Sequence, residues 1–318
     1  MRERMSRAGQ SARRGARSLF SPTGLRGTAI EVAWVAAHAA LYPLGAVAER
    51  ARPERSHDLS SLSPVQRGLL IGDIEAAGTP ILLVHGMVDN RSIFTVLRRG
   101  LRRRGFRRVL ALNYSPLTSD VRLAATNLAT RIEELCEETG FERIHVIGHS
   151  MGGLVARYYV QRLGGDERVH TLVTLGTPHG GTLPAHLVPH RLARQLRPDS
   201  ELIAELREPA PGCRTRFVAV WSDLDQMMLP KRAARIDHPD LAARNVLVRG
   251  VGHMSLPIHR RTVHEIGLTL AQLDPTGGTV TPGATSISSA RPARRFDPVD
   301  PDKKPHTGAE RGPSVTSN

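Results

Sequence analysis

Five residues set the chemistry to look for: Gly148-His149-Ser150-Met151-Gly152, a G-x-S-x-G match. They follow the apolar run RIHVI at 143–147 and open a helical pattern over 151–163. A serine on a strained strand–turn–helix junction holds its hydroxyl clear of a sheet. Side chains at 148 and 152 would collide where strand and helix cross, so Gly148 and Gly152 are small. The helix N-terminus beneath the serine turns free N–H groups toward developing negative charge. The N–H of Met151 is one oxyanion donor. A second is expected from a loop after an earlier strand. PILLV at 80–84 runs into His85-Gly86-Met87-Val88-Asp89-Asn90, where Gly86 permits a tight turn and the N–H of Met87 is the natural donor.

A third segment, Gly176-Thr177-Pro178-His179-Gly180-Gly181-Thr182, follows the strand after the serine. Together, HGMVDN at 85–90, GHSMGG at 148–153 and GTPHGGT at 176–182 resemble the α/β-hydrolase superfamily, and within it bacterial lipases and esterases. The resemblance covers residues 68–273 and implies a chain order of serine, acid, histidine. His253, in Gly250-Val251-Gly252-His253-Met254, stands where the base belongs. His259 and His264 lie at helical spacing in the closing helix, where they pack or face solvent. The acid belongs in Ser222-Asp223-Leu224-Asp225, and both aspartates are candidates. The Ser-x-x-Asp spacing before Pro230 favours Asp225, leaving Asp223 to cap a turn. His85, His149 and His179 are candidates for lining the pocket. The implied activity is cleavage of carboxylic esters, lipid-like ones above all, through an acyl-enzyme on Ser150 and without cofactor. The same triad serves a thioesterase, an acyltransferase or a lipid-anchor deacylase. A different class of reading is a non-catalytic protein that binds a lipid or partner.

The elements that must position these residues alternate. Apolar runs at 80–84, 108–112, 143–147, 169–175, 216–221 and 245–249 predict strands covered on both faces, with another at 68–75. Helical spacing predicts helices over 120–138, with Ser119 or Asp120 as N-cap and Gly140 past the end, over 151–163 and over 256–272. The fold class is α/β, a mostly parallel sheet with helices on both faces. Between Pro178 and Cys213 a short insertion reads as helices at 183–195 and 200–207. Leu183, Leu187, Leu192 and Leu196 fall on one face of the first, and Asp199 or Ser200 caps the second. The insertion is either a lid over the site or a plain helix pair packed on the core.

The ends of the chain differ from this core, taken as 67–273. Residues 1–27 carry seven arginines against Glu3 and read as a disordered basic arm. Residues 28–48 are apolar but contain Glu31, His38 and Pro43. They read as a helix on the domain or a membrane surface, a signal-like segment or a spanning helix. Residues 49–66 read as a linker and 274–318 as a disordered tail. The net charge of +14 over 318 residues raises nucleic acid as a partner. The charges lie in the arm and in Arg98, Arg99, Arg102, Arg103, Arg104, Arg107 and Arg108, with Phe106 the lone aromatic there. An anionic membrane surface met by residues 1–48 is therefore the better expectation, with membrane association as the location and export as the alternative. Two cysteines, Cys136 and Cys213, are too few for a disulfide framework or a cysteine zinc site, though one bridge between them is open. No H-E-x-x-H occurs, and no spacing suggests a metal or a nucleotide loop.

Overall fold

The computed structural model describes residues 78–87, 91–112 and 120–271. The basic arm, the apolar segment, the linker, the strand expected at 68–75, Ser119 and the tail lie outside the described residues.

Six strands form one sheet: β1 (Ile81–Val84), β2 (Val109–Leu112), β3 (Ile144–His149), β4 (Val169–Leu175), β5 (Arg216–Trp221) and β6 (Ala242–Leu247). Their order is β2-β1-β3-β4-β5-β6, and every pairing is parallel. The helices are α1 (Thr95–Arg102), α2 (Val121–Thr139), α3 (Met151–Arg162), α4 (Arg191–Gln195), α5 (Glu201–Glu205) and α6 (Arg260–Leu270). Alternate residues of β1 show how the sheet is covered. Ile81 and Leu83 pack with Leu97 and Leu101 of α1 and Val263 and Ile266 of α6. Leu82 and Val84 pack with Leu128 and Ile132 of α2 and Leu154 and Val155 of α3. Both faces are thus apolar, as the unbroken strand runs require.

Local signals account for the longest helix. The Asp120 carboxylate accepts the Arg122 N–H at 2.6 Å, and Gly140 ends α2 in the left-handed region at φ 73° with its N–H on the Cys136 carbonyl. Three expectations shift. Strand β6 starts at Ala242 rather than 245, because an edge strand is delimited by its single neighbour, and Ala242 to Leu247 run alongside Arg216 to Trp221. The closing helix begins as a 3-10 turn, Leu256–Ile258, containing Pro257. The helix expected over 183–195 is broken: Leu183–His186 is a 3-10 turn, Pro189 follows, and only Arg191–Gln195 is α-helical. Leu192 and Leu196 are buried while Leu183 and Leu187 face solvent. Both cysteines are free, so they form no bridge; Cys136 is buried, which pushes its thiol up to about 11.

The insertion belongs to the core. Leu192, Leu196, Leu202, Ile203 and Leu206 join the apolar cluster of α2 and α3. Arg122 pairs with Glu205, Arg157 donates to the Leu206 carbonyl at 2.7 Å, and Arg162 reaches the carbonyls of Glu205, Glu208 and Pro209. Guanidinium groups thus satisfy the carbonyls at and after the C-terminus of α5, where cations also suit the helix dipole. The plain helix pair, rather than a loosely held lid, describes this part of the insertion. Among the described residues, no helix is long and apolar enough to cross a membrane.

Candidate active site

Parallel strands all end on one side of a sheet, and the loops leaving β1, β3, β4, β5 and β6 meet there. At the end of β3 the backbone is strained: Ser150 has φ 53° and ψ −126°, the one non-glycine with positive φ among the described residues. Such a conformation costs about 1–3 kcal/mol and persists only where its surroundings enforce it. Here the Ser150 N–H donates to the Leu175 carbonyl of β4 at 2.9 Å, and α3 begins at the next residue. A Cβ on Gly148 would stand 2.5 Å from the Gly153 backbone, and one on Gly152 2.2 Å from the Val84 carbonyl oxygen. Both glycines therefore let chains cross closely, and the second brings the end of β1 against the start of α3. Met87, just past β1, and Met151, first in α3, flank that crossing.

The loops after β5 and β6 meet each other, and the second also meets His149 at the end of β3. His253 Nδ1 lies 2.8 Å from Asp225 Oδ2, with the two side chains 5% and 1% exposed. The other carboxylate oxygen of Asp225 accepts the N–H groups of Met227 and Met228 at 3.0 and 3.2 Å. Three donors thus hold a buried carboxylate in one orientation, which offsets much of its desolvation. Asp223 lies apart: it accepts the Gly250 N–H at 2.8 Å and sits 3.7 Å from Arg249. Ser222 ties the two loops, donating to the Val251 carbonyl at 2.6 Å and accepting the Leu224 N–H at 3.1 Å. His149 links the histidine loop to β3, with Nε2 donating to the His253 carbonyl at 3.2 Å and the two rings 4.9 Å apart.

His85 and His179, the other two expected to line the pocket, are buried and hydrogen-bonded. His85 Nδ1 donates to the Gly86 carbonyl at 2.8 Å. His179 lies between Thr174, 2.9 Å from Nε2, and Arg157, 3.3 Å from Nδ1. Because a guanidinium only donates, Nδ1 is the acceptor and Nε2 carries the proton. Burial and the Arg157 charge hold His179 well below the usual histidine value, so it is neutral. Burial, then the neighbouring arginines, pulls Arg157 itself down to about 9. His259 caps the start of α6 and His264 lies within it, apart from these loops. Among the described residues no three His, Cys, Asp or Glu side chains gather as metal ligands.

Sequence reasoning left several contributors unnamed. Gly176, at φ 55°, brings bare main chain against the Asp225–His253 pair: a Cβ there would stand 2.8 Å from Asp225 Oδ2 and 3.0 Å from His253 Nδ1. Its signal was the leading glycine of GTPHGGT. Lys231 places its ammonium on the Asp225 carbonyl oxygen, and Ser222 was visible only as part of the Ser-x-x-Asp spacing.

Residues 79–203 match a family model described as the alpha/beta hydrolase fold, a match that ends before Asp225 and His253. Lipase 1 of Psychrobacter immobilis is 33% identical over 104 residues, covering 30% of this chain and 32% of that protein. A triacylglycerol lipase of Pseudarthrobacter phenanthrenivorans is 29% identical over 111 residues, covering 32% of this chain and 34% of that protein. The chain spans about a third of the length of these curated relatives. The mature lipase BlEst2 of Bacillus licheniformis superposes with a TM-score of 0.52 at 15% identity, over 70% of this chain and 99% of that one. Lipase B of Aspergillus fumigatus superposes with a TM-score of 0.54 at 16% identity, over 73% of this chain and 58% of that one. At such identities the superpositions speak for the fold alone.

Proposed function

From this chain's place in the α/β-hydrolase superfamily, where it resembles lipases and esterases, we propose that it is a serine hydrolase acting on carboxylic esters with apolar, lipid-like acyl groups. One observation carries the reading: the single strained non-glycine residue among the described ones is a serine, and His149 just before it bonds to the loop that carries a buried His253–Asp225 pair.

In this mechanism Ser150 Oγ attacks the ester carbonyl carbon while His253 takes its proton at Nε2. Asp225 accepts the Nδ1 hydrogen, fixes the tautomer and stabilises the imidazolium. The N–H groups of Met87 and Met151 hold the oxyanion. His253 then gives its proton to the leaving alcohol oxygen, which releases the alcohol and leaves the acyl group on Ser150. Water, deprotonated by His253, attacks that acyl carbon, and the returned proton restores the serine. The exposed apolar side chains support the substrate class. Five of the seven large ones among the described residues are Leu183, Leu187, Val188, Met227 and Leu229, on the insertion and on the segment after Asp225. The Leu183 N–H donates to the Leu229 carbonyl at 2.9 Å, so these two segments are adjacent.

A chain-length series of chromogenic esters on the full-length protein tests this. Turnover that increases from acetyl to longer acyl chains and disappears in Ser150→Ala is expected. A folded wild type that cleaves no ester of any length would overturn the reading.

A further inference from the structure

We propose that Lys231 is a positioning residue of this site, holding the Asp225 main chain with its ammonium and setting the basicity of His253 through that acid. The inference rests on the hydrolase reading and deepens it.

The chain uses lysine at three positions against 41 arginines, and the other two, Lys303 and Lys304, lie outside the described residues. Lys231 begins the 3-10 turn Lys231–Ala234 and reaches back to the carbonyl oxygen of Asp225, six residues earlier. The opposite side of Asp225 is held by the Met227 and Met228 N–H groups and by His253. The acid is thus gripped at both carboxylate oxygens and at its main chain. The turn carrying Lys231 is itself anchored, since the Gly180 N–H donates to the Ala233 carbonyl at 2.9 Å. The lysine side chain is half-buried. Burial lowers its ammonium below the usual lysine value, and the Asp225 and Asp223 carboxylates oppose that shift.

The charge has a consequence beyond holding the loop. A carboxylate on an imidazole N–H favours the imidazolium, and a cation on the same aspartate offsets part of that effect. Among the described residues, His149 lies 4.9 Å from the His253 ring, and Asp223, in the same loop as Asp225, is paired with Arg249. On the side of Gly176 the pair meets bare main chain, with the Leu256 side chain close by. Lys231 is the cation among these groups that contacts the acid.

The test is the pH profile of kcat/KM on a soluble ester for full-length wild type, Lys231→Met, Lys231→Gln and Lys231→Arg, with the Tm of each. The base works only when neutral, so removing the cation should move the acid limb to higher pH. Met and Gln should both move it by about half a pH unit or more. Gln keeps a donor for the carbonyl and separates charge from support, while Met should also lose about 3- to 10-fold in kcat. Arg, which keeps the charge, should leave the limb near its wild-type position. An unmoved limb in Met and Gln, movement to lower pH, or equal movement in Arg would each overturn the role of Lys231 while leaving the hydrolase reading intact. A wild type without turnover would overturn both.

Discussion

Strand β3 carries a histidine near each end, and the two ends are built differently. At its C-terminal end His149 bonds to the His253 carbonyl, and His253 in turn meets a carboxylate held by three donors. Near its N-terminal end, His145 is fully buried, its ring 5.4 Å from that of His170, and neither ring nitrogen has a hydrogen-bond partner. Arg143 and Arg216 act on both rings, and among the described residues no carboxylate does. Burial first, then neighbouring positive groups, holds His145 well below the usual histidine value; burial and the two arginines bring His170 to about 4. A buried imidazole becomes a usable base beside an acid and a loop that delivers it. Among arginines it stays neutral and adds only to the structure.

Substitutions at the C-terminal end should have the largest effects. Ser150→Ala and His253→Ala should each lower kcat by about 10⁴-fold or more with little change in Tm. Asp225→Asn should cost about 10³- to 10⁴-fold, because the amide no longer fixes the productive tautomer. Asp223→Asn, which loosens only a turn at Gly250, should cost less than about 10-fold. Steady-state kinetics on one chromogenic ester ranks all four, and a reversed order of the aspartates would reassign the acid.

The N-terminal end should answer in stability instead. The folded protein keeps His145 and His170 neutral, whereas the unfolded chain takes up protons near pH 6.5. Below that pH the unfolded state binds more protons, so Tm should fall as pH drops from about 6.5 toward 4. His145→Leu should flatten that dependence and leave kcat/KM within about 2-fold, since it removes two unsatisfied nitrogens from a buried site. Thermal melts between pH 4 and 8 check both statements. His179 is held neutral in the same way and keeps its share, so a fall no shallower in His145→Leu with His170→Phe than in wild type would assign the dependence elsewhere.

The part of the site that was legible in the sequence is local. Gly148, Ser150 and Gly152 lie within one pentapeptide between an apolar run and a helical pattern, so spacing alone places the serine at a strand–helix junction. The Ser-x-x-Asp spacing favoured Asp225 over Asp223, but both sit in one loop, and the contact with His253 arises only where the loop after β6 comes alongside. Gly176 and Lys231 act through contacts between loops distant in sequence. The leucines at 183, 187, 192 and 196 resembled one helix face, yet two prolines divide them and half of them face solvent. Nothing in the run RIHVI distinguished a histidine buried without partners from one facing a site.

The most direct measurement is active-site labelling of the full-length protein with a fluorophosphonate, followed by mass spectrometry of the adduct. One phosphonyl group on Ser150, formed in the wild type and absent from Ser150→Ala, is the expected result. A folded wild type that takes no label, or takes it on another residue, would contradict the account.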